Sequence, residues 1–292
     1  MLRRRTAAAC LIAVVLMFGT LAACGEDSDG AAATSSTAPA TTSTTEEVGC
    51  TSHELPLDIV LVNDDGIVNP AIDVMLEMLQ SNDELHLDIT LVAPADERSG
   101  TSDTTTPGGA TYNESTTPGG ATGYSVNGYP ADAVLVALGE LGLEPHLVLS
   151  GINPGNNFGA FAPYSGTIGA ARTAVRNGTP ALAVSGGLQV DQAQYEFGAD
   201  LALDWIIEHC EALMAREHQL DTVTSINIPA CAPEDMGPLQ AMPRATEMPV
   251  LPAGESIWAS TCDLADKAPA NDVAAVRSGY PTITQVEVEF PS

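Results

Sequence analysis

The sequence predicts a doubly wound, Rossmann-like α/β protein with a mostly parallel sheet and a shortened C-terminal extension. From residue 57 to residue 228, short apolar and β-branched runs alternate with segments whose apolar residues recur at helical spacing. Strands that alternate with helices are joined by right-handed crossovers into a parallel sheet. The run at 57–62 is apolar at nearly every position, as in a strand that is buried on both faces.

The predicted elements follow one another along the chain. Strands are predicted at 58–63, 87–93, 146–150, 180–185, 222–228 and 282–290, and helices at 69–79, 131–141, 165–177 and 198–216. The hexapeptide T-P-G-G-A-T interrupts the alternation at Thr106 and again at Thr117, and its Pro and Gly residues favour turns or a loose loop. The region after residue 230 is rich in proline and acids, and we expect an irregular extension that returns to the sheet.

The N-terminal part is predicted to lie outside the folded domain. A basic start, an apolar run at 7–18 and the letters L-A-A-C that end at Cys24 are typical of an export signal, and the ending is similar to a bacterial lipobox. We therefore expect a lipoprotein-type signal peptide at 1–23, a disordered Ser/Thr/Ala-rich tether at 24–49 and a folded domain at 50–292. Lipidation of Cys24 would anchor the protein in the cell envelope, and secretion after an ordinary signal is the alternative.

The cysteine content agrees with export. Cys10 lies in the signal peptide, and Cys24 would be lipidated. An even number of remaining cysteines outside the cytosol predicts two disulfides whose pairing the sequence leaves open, and buried free thiols are the alternative. These remaining cysteines are Cys50, Cys210, Cys231 and Cys262.

The charge is strongly acidic. The formal net charge is −28, and removal of Arg3, Arg4 and Arg5 with the signal peptide would make it −31. Such a surface repels nucleic acid polymers and anionic lipid headgroups. Any phosphate-bearing substrate must therefore be small and met by a local positive centre, which a bound metal would provide, and we expect membrane contact only through Cys24.

The first chemical signal follows the first predicted strand, at Asn63-Asp64-Asp65-Gly66. Two adjacent carboxylates at the carboxyl end of a buried strand are costly unless a cation lies between them. Hard divalent cations take oxygen ligands, and ligands bind at this edge of open α/β sheets. A simple Asp-Gly turn is the alternative.

Three more loops carry polar groups to the same edge. Segment 93–100 reads A-P-A-D-E-R-S-G, segment 150–159 reads S-G-I-N-P-G-N-N-F-G, and segment 164–167 (Y-S-G-T) opens a helix whose N-terminal N–H groups favour an anion. Carboxylates for a cation beside a helix N-terminus for a phosphate indicate metal-assisted phosphoester hydrolysis. Helix capping by Ser165 and Thr167 is the alternative.

The order of these motifs resembles the SurE survival-protein family of nucleoside monophosphate phosphatases (5′/3′-nucleotidases). The matching blocks are V-N-D-D-G, V-A-P-x-x-E-R-S-G, S-G-I-N-x-G-x-N-x-G and Y-S-G-T-I-G-A-A, then I-N-I-P and A-V-x-x-G-Y-x-T-I-T. They cover 57–187 well and 222–285 more loosely. The resemblance implies a phosphomonoesterase that hydrolyses nucleoside 5′/3′-monophosphates to nucleoside and phosphate with one divalent cation, Mg²⁺ or Mn²⁺, per subunit.

The resemblance also implies a role for individual residues by motif position. The implied metal ligands are Asp64, Asp65, Ser99 and Asn153, all oxygen donors. The implied catalytic residues are Asp64, Asn153 and Ser165. The implied substrate and phosphate ligands are Asn157, Ser165, Gly166, Thr167 and Arg98.

Two departures leave a second function open, a surface lipoprotein that binds a metal and a nucleotide with weak or no turnover. Tyr164 stands where the resemblance implies a histidine, and a tyrosine is a poorer proton donor at neutral pH. Segment 230–270 lacks the long basic and aromatic hairpin through which family members exchange arms, so the geometry of a homodimer is open. Cys231 and Cys262 bracket this segment, and a disulfide there would replace the lost support.

Overall fold

One mixed sheet forms the centre of the protein, which a computed structural model describes for residues 55–188, 191–218 and 220–290. The strands are β1 (Leu57–Val62), β2 (Leu87–Pro94), β3 (Thr111–Thr116), β4 (Thr122–Asn127), β5 (Leu147–Pro154), β6 (Ala181–Gly186), β7 (Thr222–Asn227), β8 (Gln240–Ala241) and β9 (Thr282–Glu287). Their order in the sheet is β3-β4-β2-β1-β5-β6-β7-β9-β8. Within this order, the five adjacent strands β2, β1, β5, β6 and β7 pair with their neighbours in parallel.

Helices cover both faces of the sheet. They are α1 (Pro70–Gln80), α2 (Pro130–Leu135), α3 (Gly166–Arg176), α4 (Gln192–Met214) and α5 (Asp272–Ser278). Apolar side chains of α1 and α4 pack on one face of the sheet, and those of α2 and α3 pack on the other. A short π-helical turn, Val136–Glu140, continues α2. The predicted doubly wound α/β fold is confirmed.

The direction of winding changes next to β1. The chain passes from β1 outward to β2, and later from β5 outward through β6 to β7, while β1 pairs in parallel with both β2 and β5. Ligands of open α/β sheets bind in the crevice at such a switch point, beyond the carboxyl ends of the strands. The loops that follow β1 and β5 therefore meet at the edge where a ligand is expected.

The T-P-G-G-A-T repeat forms the turns that the sequence predicts, but the second copy also connects two strands. Thr117 begins the turn between β3 and β4, which pair in antiparallel register, and the Thr117 hydroxyl and the Gly119 N–H bond to the Asp73 carboxylate of α1. The first copy is fixed because the Thr106 N–H and hydroxyl donate to Asp132 of α2. Of the two alternatives, turns and a loose loop, the structure shows turns, because buried carboxylates of two helices bind both of them.

The longest helix begins earlier than the sequence predicts, at Gln192 instead of 198. The reason is a capping box, in which the Gln194 N–H donates to Asp191 Oδ1 and the Asp191 N–H donates to Gln194 Oε1, each at 3.0 Å. Two reciprocal hydrogen bonds satisfy N–H groups that would otherwise fray the helix start.

The C-terminal extension returns to the sheet as predicted. Residues 242–271 contain neither helix nor strand, and the chain then forms α5 and β9, which pairs antiparallel to β7. A disulfide joins Cys231 to Cys262, and Cys210 is also disulfide-bonded. Cys50 lies outside the described residues.

The predicted signal peptide, tether and lipidated cysteine also lie outside the part of the chain that the structure describes. Within the described ranges, none of the helices is both long enough and apolar enough to cross a lipid bilayer.

Candidate active site

A cavity of about 350 Å³ lies at the carboxyl edge of the sheet, where the loops after β1 and β5 meet the start of α3. Its lining includes five residues that the sequence selected from four separate loops. These are Asp64, Ser99, Asn153, Asn157 and Ser165. The cavity therefore brings most of the predicted site together, although the residues are up to about a hundred positions apart in the chain.

The turn after β1 is closed by the side chain of Asn63. Its amide nitrogen donates to Gly66 O at 3.0 Å, and its amide oxygen accepts from the Gly66 N–H at 3.1 Å. Gly66 has φ +94°, a conformation that favours glycine because it has no Cβ. The Arg98 N–H donates to Asp64 O at 2.7 Å and ties the next loop to this turn. These bonds fix the two aspartates at the strand end.

Asp64 is buried against the first turn of α3. Its Oδ1 accepts a hydrogen bond of 2.8 Å from the Thr167 hydroxyl. A Cβ at Gly166 would lie only 2.8 Å from Asp64 Oδ2, so the close approach of helix and carboxylate depends on glycine there. Burial raises the pKa of Asp64, although hydrogen bonds from Thr167 oppose that shift.

Asp65 carries an oxygen atom without a partner. Its Oδ2 is buried and accepts no hydrogen bond from the described residues. Burial raises the pKa of Asp65 to about 8, and the charges of Asp64 and Glu97 add to that shift. The Asp65 charge in turn adds to burial in raising the pKa of Tyr195 to about 12. This crowding of negative charge around a buried, unpaired oxygen is what a bound cation relieves.

The remaining predicted ligands fit a hard cation. Asn153 is buried, and its amide nitrogen donates to Gly155 O at 2.6 Å, which leaves the amide oxygen as the available ligand atom. The Ser99 side chain lines the same cavity. The described ranges contain no cluster of three or more His, Cys, Asp and Glu residues that could hold a metal. The fit therefore depends on two carboxylates supplemented by neutral oxygens.

The residues proposed for phosphate binding already have protein partners. Ser165 caps α3 by accepting from the Ile168 N–H at 3.1 Å, as the alternative interpretation of this residue predicts. The Asn157 amide nitrogen contacts Thr167 Oγ1 at 3.2 Å and Ser185 Oγ at 2.9 Å. These side chains hold Asp64 and the helix start in place, and the backbone N–H groups of the first turn of α3 are the groups suited to an anion.

Arg98 does not line the cavity. Its Nε donates to Gly128 O at 3.3 Å, and its guanidinium lies 3.4 Å from Asp96 Oδ2 and over the Tyr129 ring. The role of Arg98 in phosphate binding stays a prediction. Tyr164 does line the cavity and is 67% exposed.

Several residues around the cavity were not predicted from the sequence. Asn227 accepts from the Asn157 N–H at 2.8 Å and supports that loop from the end of β7. Its signal was present in the I-N-I-P block, to which no role was assigned. Phe161, Leu188 and Trp258 line the cavity and had no comparable signal, because their positions follow only from the folded chain.

Together, the fold and the site define a doubly wound α/β protein with an oxygen-donor site at the switch point of its sheet. The family described as "Survival protein SurE" matches residues 59–248. The chain belongs to the SurE family.

Relatives with curated descriptions and a solved structure agree with this assignment. A "5′-nucleotidase SurE" of Heliobacterium modesticaldum is 32% identical over 249 residues, which cover 80% of this chain and 86% of that protein. A "5′-nucleotidase SurE" of Prochlorococcus marinus is 36% identical over 189 residues, covering 63% of this chain and 67% of that protein. The crystal structure of the SurE protein from Aquifex aeolicus is similar with a TM-score of 0.62 and 26% identity, covering 80% and 95% of the two chains.

Proposed function

We propose that this protein is a metal-dependent phosphomonoesterase that hydrolyses nucleoside 5′- or 3′-monophosphates to nucleoside and phosphate. The observation that carries the proposal is the buried pair Asp64 and Asp65 at the switch point of the sheet, where Asp64 meets the first turn of α3. The relatives named 5′-nucleotidase support both the reaction class and a nucleotide substrate.

One divalent cation, Mg²⁺ or Mn²⁺, would be held by Asp64, Asp65, Ser99 and Asn153. When bound, such a cation polarises a phosphoryl group and lowers the pKa of a coordinated water. The unpaired Oδ2 of Asp65 and the free amide oxygen of Asn153 support this ligand set.

The chain itself would bind and orient the substrate. The N–H groups at the start of α3 favour the phosphate, because they lack intrahelical partners and lie at the positive end of the helix dipole. The Thr167 hydroxyl orients the Asp64 carboxylate, and Asn157 holds Thr167 through its amide nitrogen. None of the described residues that line the cavity is lysine or arginine, so the phosphate charge would be met by the cation and the helix.

Phosphate release from AMP, GMP and p-nitrophenyl phosphate, with and without Mn²⁺ at pH 5 to 9, tests the proposal. Metal-dependent release is expected, and Asp64→Asn abolishes it. The control Asp83→Asn changes an exposed residue of the loop before β2, at the opposite edge of the sheet, and should keep full activity. Absence of metal-dependent release from all three substrates contradicts the proposal and favours the lipoprotein that only binds its ligand.

We further propose that the protein is exported and anchored to the cell envelope through a lipid on Cys24. The lipobox-like ending and the acidic, polar tether support this location. In cells, Cys24→Ser should move the protein from the membrane fraction to the soluble fraction of the envelope or the medium. An unchanged membrane fraction would contradict the anchor.

A further inference from the structure

The lining of the cavity at the switch point combines two chemically different kinds of side chain. The first kind comprises polar side chains that the proposed function assigns to the cation and the phosphate. The second kind comprises large apolar or aromatic side chains. These are Phe161, Tyr164, Leu188 and Trp258. Small-molecule sites combine an apolar surface with a few polar groups in this way.

Among these side chains, Phe161 and Trp258 form a stacked pair. Their ring centroids are 5.1 Å apart and their planes differ by 27°. Both rings also pack against a small apolar cluster of Phe158, Ala245, Val273 and Val276. The pair therefore contacts this apolar cluster and also lines the cavity.

Trp258 belongs to a part of the chain that the family match does not include, since that match ends at residue 248. Its segment is fastened by the Cys231–Cys262 disulfide. Ser260 adds two bonds, because its hydroxyl donates to Val276 O at 2.9 Å and accepts from the Ala230 N–H at 3.1 Å. The disulfide and these hydrogen bonds, all within this chain, thus hold Trp258 of the shortened extension at the site.

Because the protein is strongly acidic, a contact that does not depend on charge would help it to bind an anionic nucleotide. The chain has a net charge of −28, and the described lining of the cavity includes no lysine or arginine. A nucleotide is repelled at long range by such a molecule. Stacking of a base on an aromatic ring adds affinity that does not depend on the sign of the charge, and every base has a face suited to it.

We propose that Phe161 and Trp258 form a platform on which the base of a nucleoside monophosphate stacks, while its phosphate lies against the polar side chains of the same cavity. This inference rests on the proposed function and extends it. The platform makes the site discriminate nucleotides from phosphomonoesters that lack an aromatic base.

The test compares AMP with ribose 5-phosphate, which has the same phosphate and sugar but no base, in the presence of Mn²⁺. Trp258→Ala should lower kcat/KM for AMP by roughly 5- to 100-fold, as expected for the loss of one stacked base, and leave kcat/KM for ribose 5-phosphate within about twofold. Trp258→Phe keeps an aromatic face and should retain most of the AMP activity. Val250→Ala, at a fully exposed position of the same segment, is the matched control and should change neither substrate.

Equal losses for both substrates in Trp258→Ala would mean that Trp258 only supports the fold of the site, and no loss for AMP would mean that the base lies elsewhere. Either result overturns the platform. If the wild-type protein hydrolyses neither compound, calorimetric titration decides the platform separately from the proposed function. At least about fivefold tighter binding of AMP than of ribose 5-phosphate, lost in Trp258→Ala, supports it. Equal binding, or no binding of AMP, overturns it.

Discussion

Replacing Asp65 by asparagine should change how the stability of the metal-free protein depends on pH. The folded protein keeps the Asp65 proton up to a pKa of about 8, whereas the unfolded chain loses it near the ordinary value of 3.8. Between these values the folded state binds more protons, so its stability falls as the pH rises. Asp65→Asn removes this dependence because the amide does not ionise.

The magnitude follows from the size of the shift. One pKa unit corresponds to about 1.4 kcal/mol, so the penalty on the wild-type protein grows by about 3 kcal/mol between pH 5.5 and pH 8. The stability of Asp65→Asn relative to wild type should therefore improve by about 3 kcal/mol over this range, or roughly 6–12 °C in melting temperature. Any packing cost of the amide is present at both pH values and cancels in the comparison.

The assay is thermal and urea unfolding of chelator-treated protein at pH 5.5 and pH 8, both above the sequence pI of 4.1. Asp83→Asn, at an exposed position on the opposite edge of the sheet, is the control and should follow wild type at each pH. Addition of Mn²⁺ at pH 8 should stabilise wild type more than Asp65→Asn, because binding to the folded state raises its stability. A relative stability that is the same at both pH values would refute the reasoning, since it would mean that Asp65 ionises normally in the folded protein.

Two further predictions concern parts that hold the site. Gly166→Ala places a Cβ against the Asp64 carboxylate and should lower kcat/KM on the order of a hundredfold, as a shift of about 1 Å in a catalytic group does. The control is Gly139→Ala, where the added Cβ meets nothing within 4 Å. This control variant should keep full activity in the same phosphate-release assay. Equal activity of the two variants would exclude a role for the close approach of α3. Replacing Cys231 and Cys262 by serine should lower the free energy of unfolding by roughly 2–4 kcal/mol in urea titrations and reduce the preference for AMP over ribose 5-phosphate. A preference that survives in the folded double variant would show that Trp258 is positioned without the disulfide.

Much of the fold could be predicted because its signals are local. The apolar run of β1 and the turn of Asn63 to Gly66 lie within ten residues, and hydrophobic period and turn chemistry determine both. The observed helix α1 and strand β2 agree with their predicted bounds to within a residue at each end. The β3–β4 hairpin was missed because its strands are polar and half exposed, so they lack the apolar alternation that identifies a strand.

The candidate site was predicted only in part. The order of the motifs identified Asp64, Asn153 and Asn157, because each lies at or just beyond the carboxyl end of a strand, and these strand ends lie at the same edge of the sheet. The contacts between individual side-chain atoms could not be predicted from the order of the motifs. The resemblance implies a phosphate-binding role for Thr167, which stays a prediction, but the bond from its hydroxyl to Asp64, across 103 positions of the chain, carries no sequence signal.

The sequence by itself determined the α/β class, the switch-point loops and the oxygen-donor chemistry, since these depend on residue types and on spacing within single elements. Only the tertiary structure decided that a tryptophan near the C-terminus lines the same cavity as Asp64 after β1. Trp258 reaches that cavity through an irregular segment fastened by a disulfide and by side-chain hydrogen bonds. An irregular segment has no hydrophobic periodicity from which its position could be predicted, because that position is determined by packing between residues that are distant in the chain.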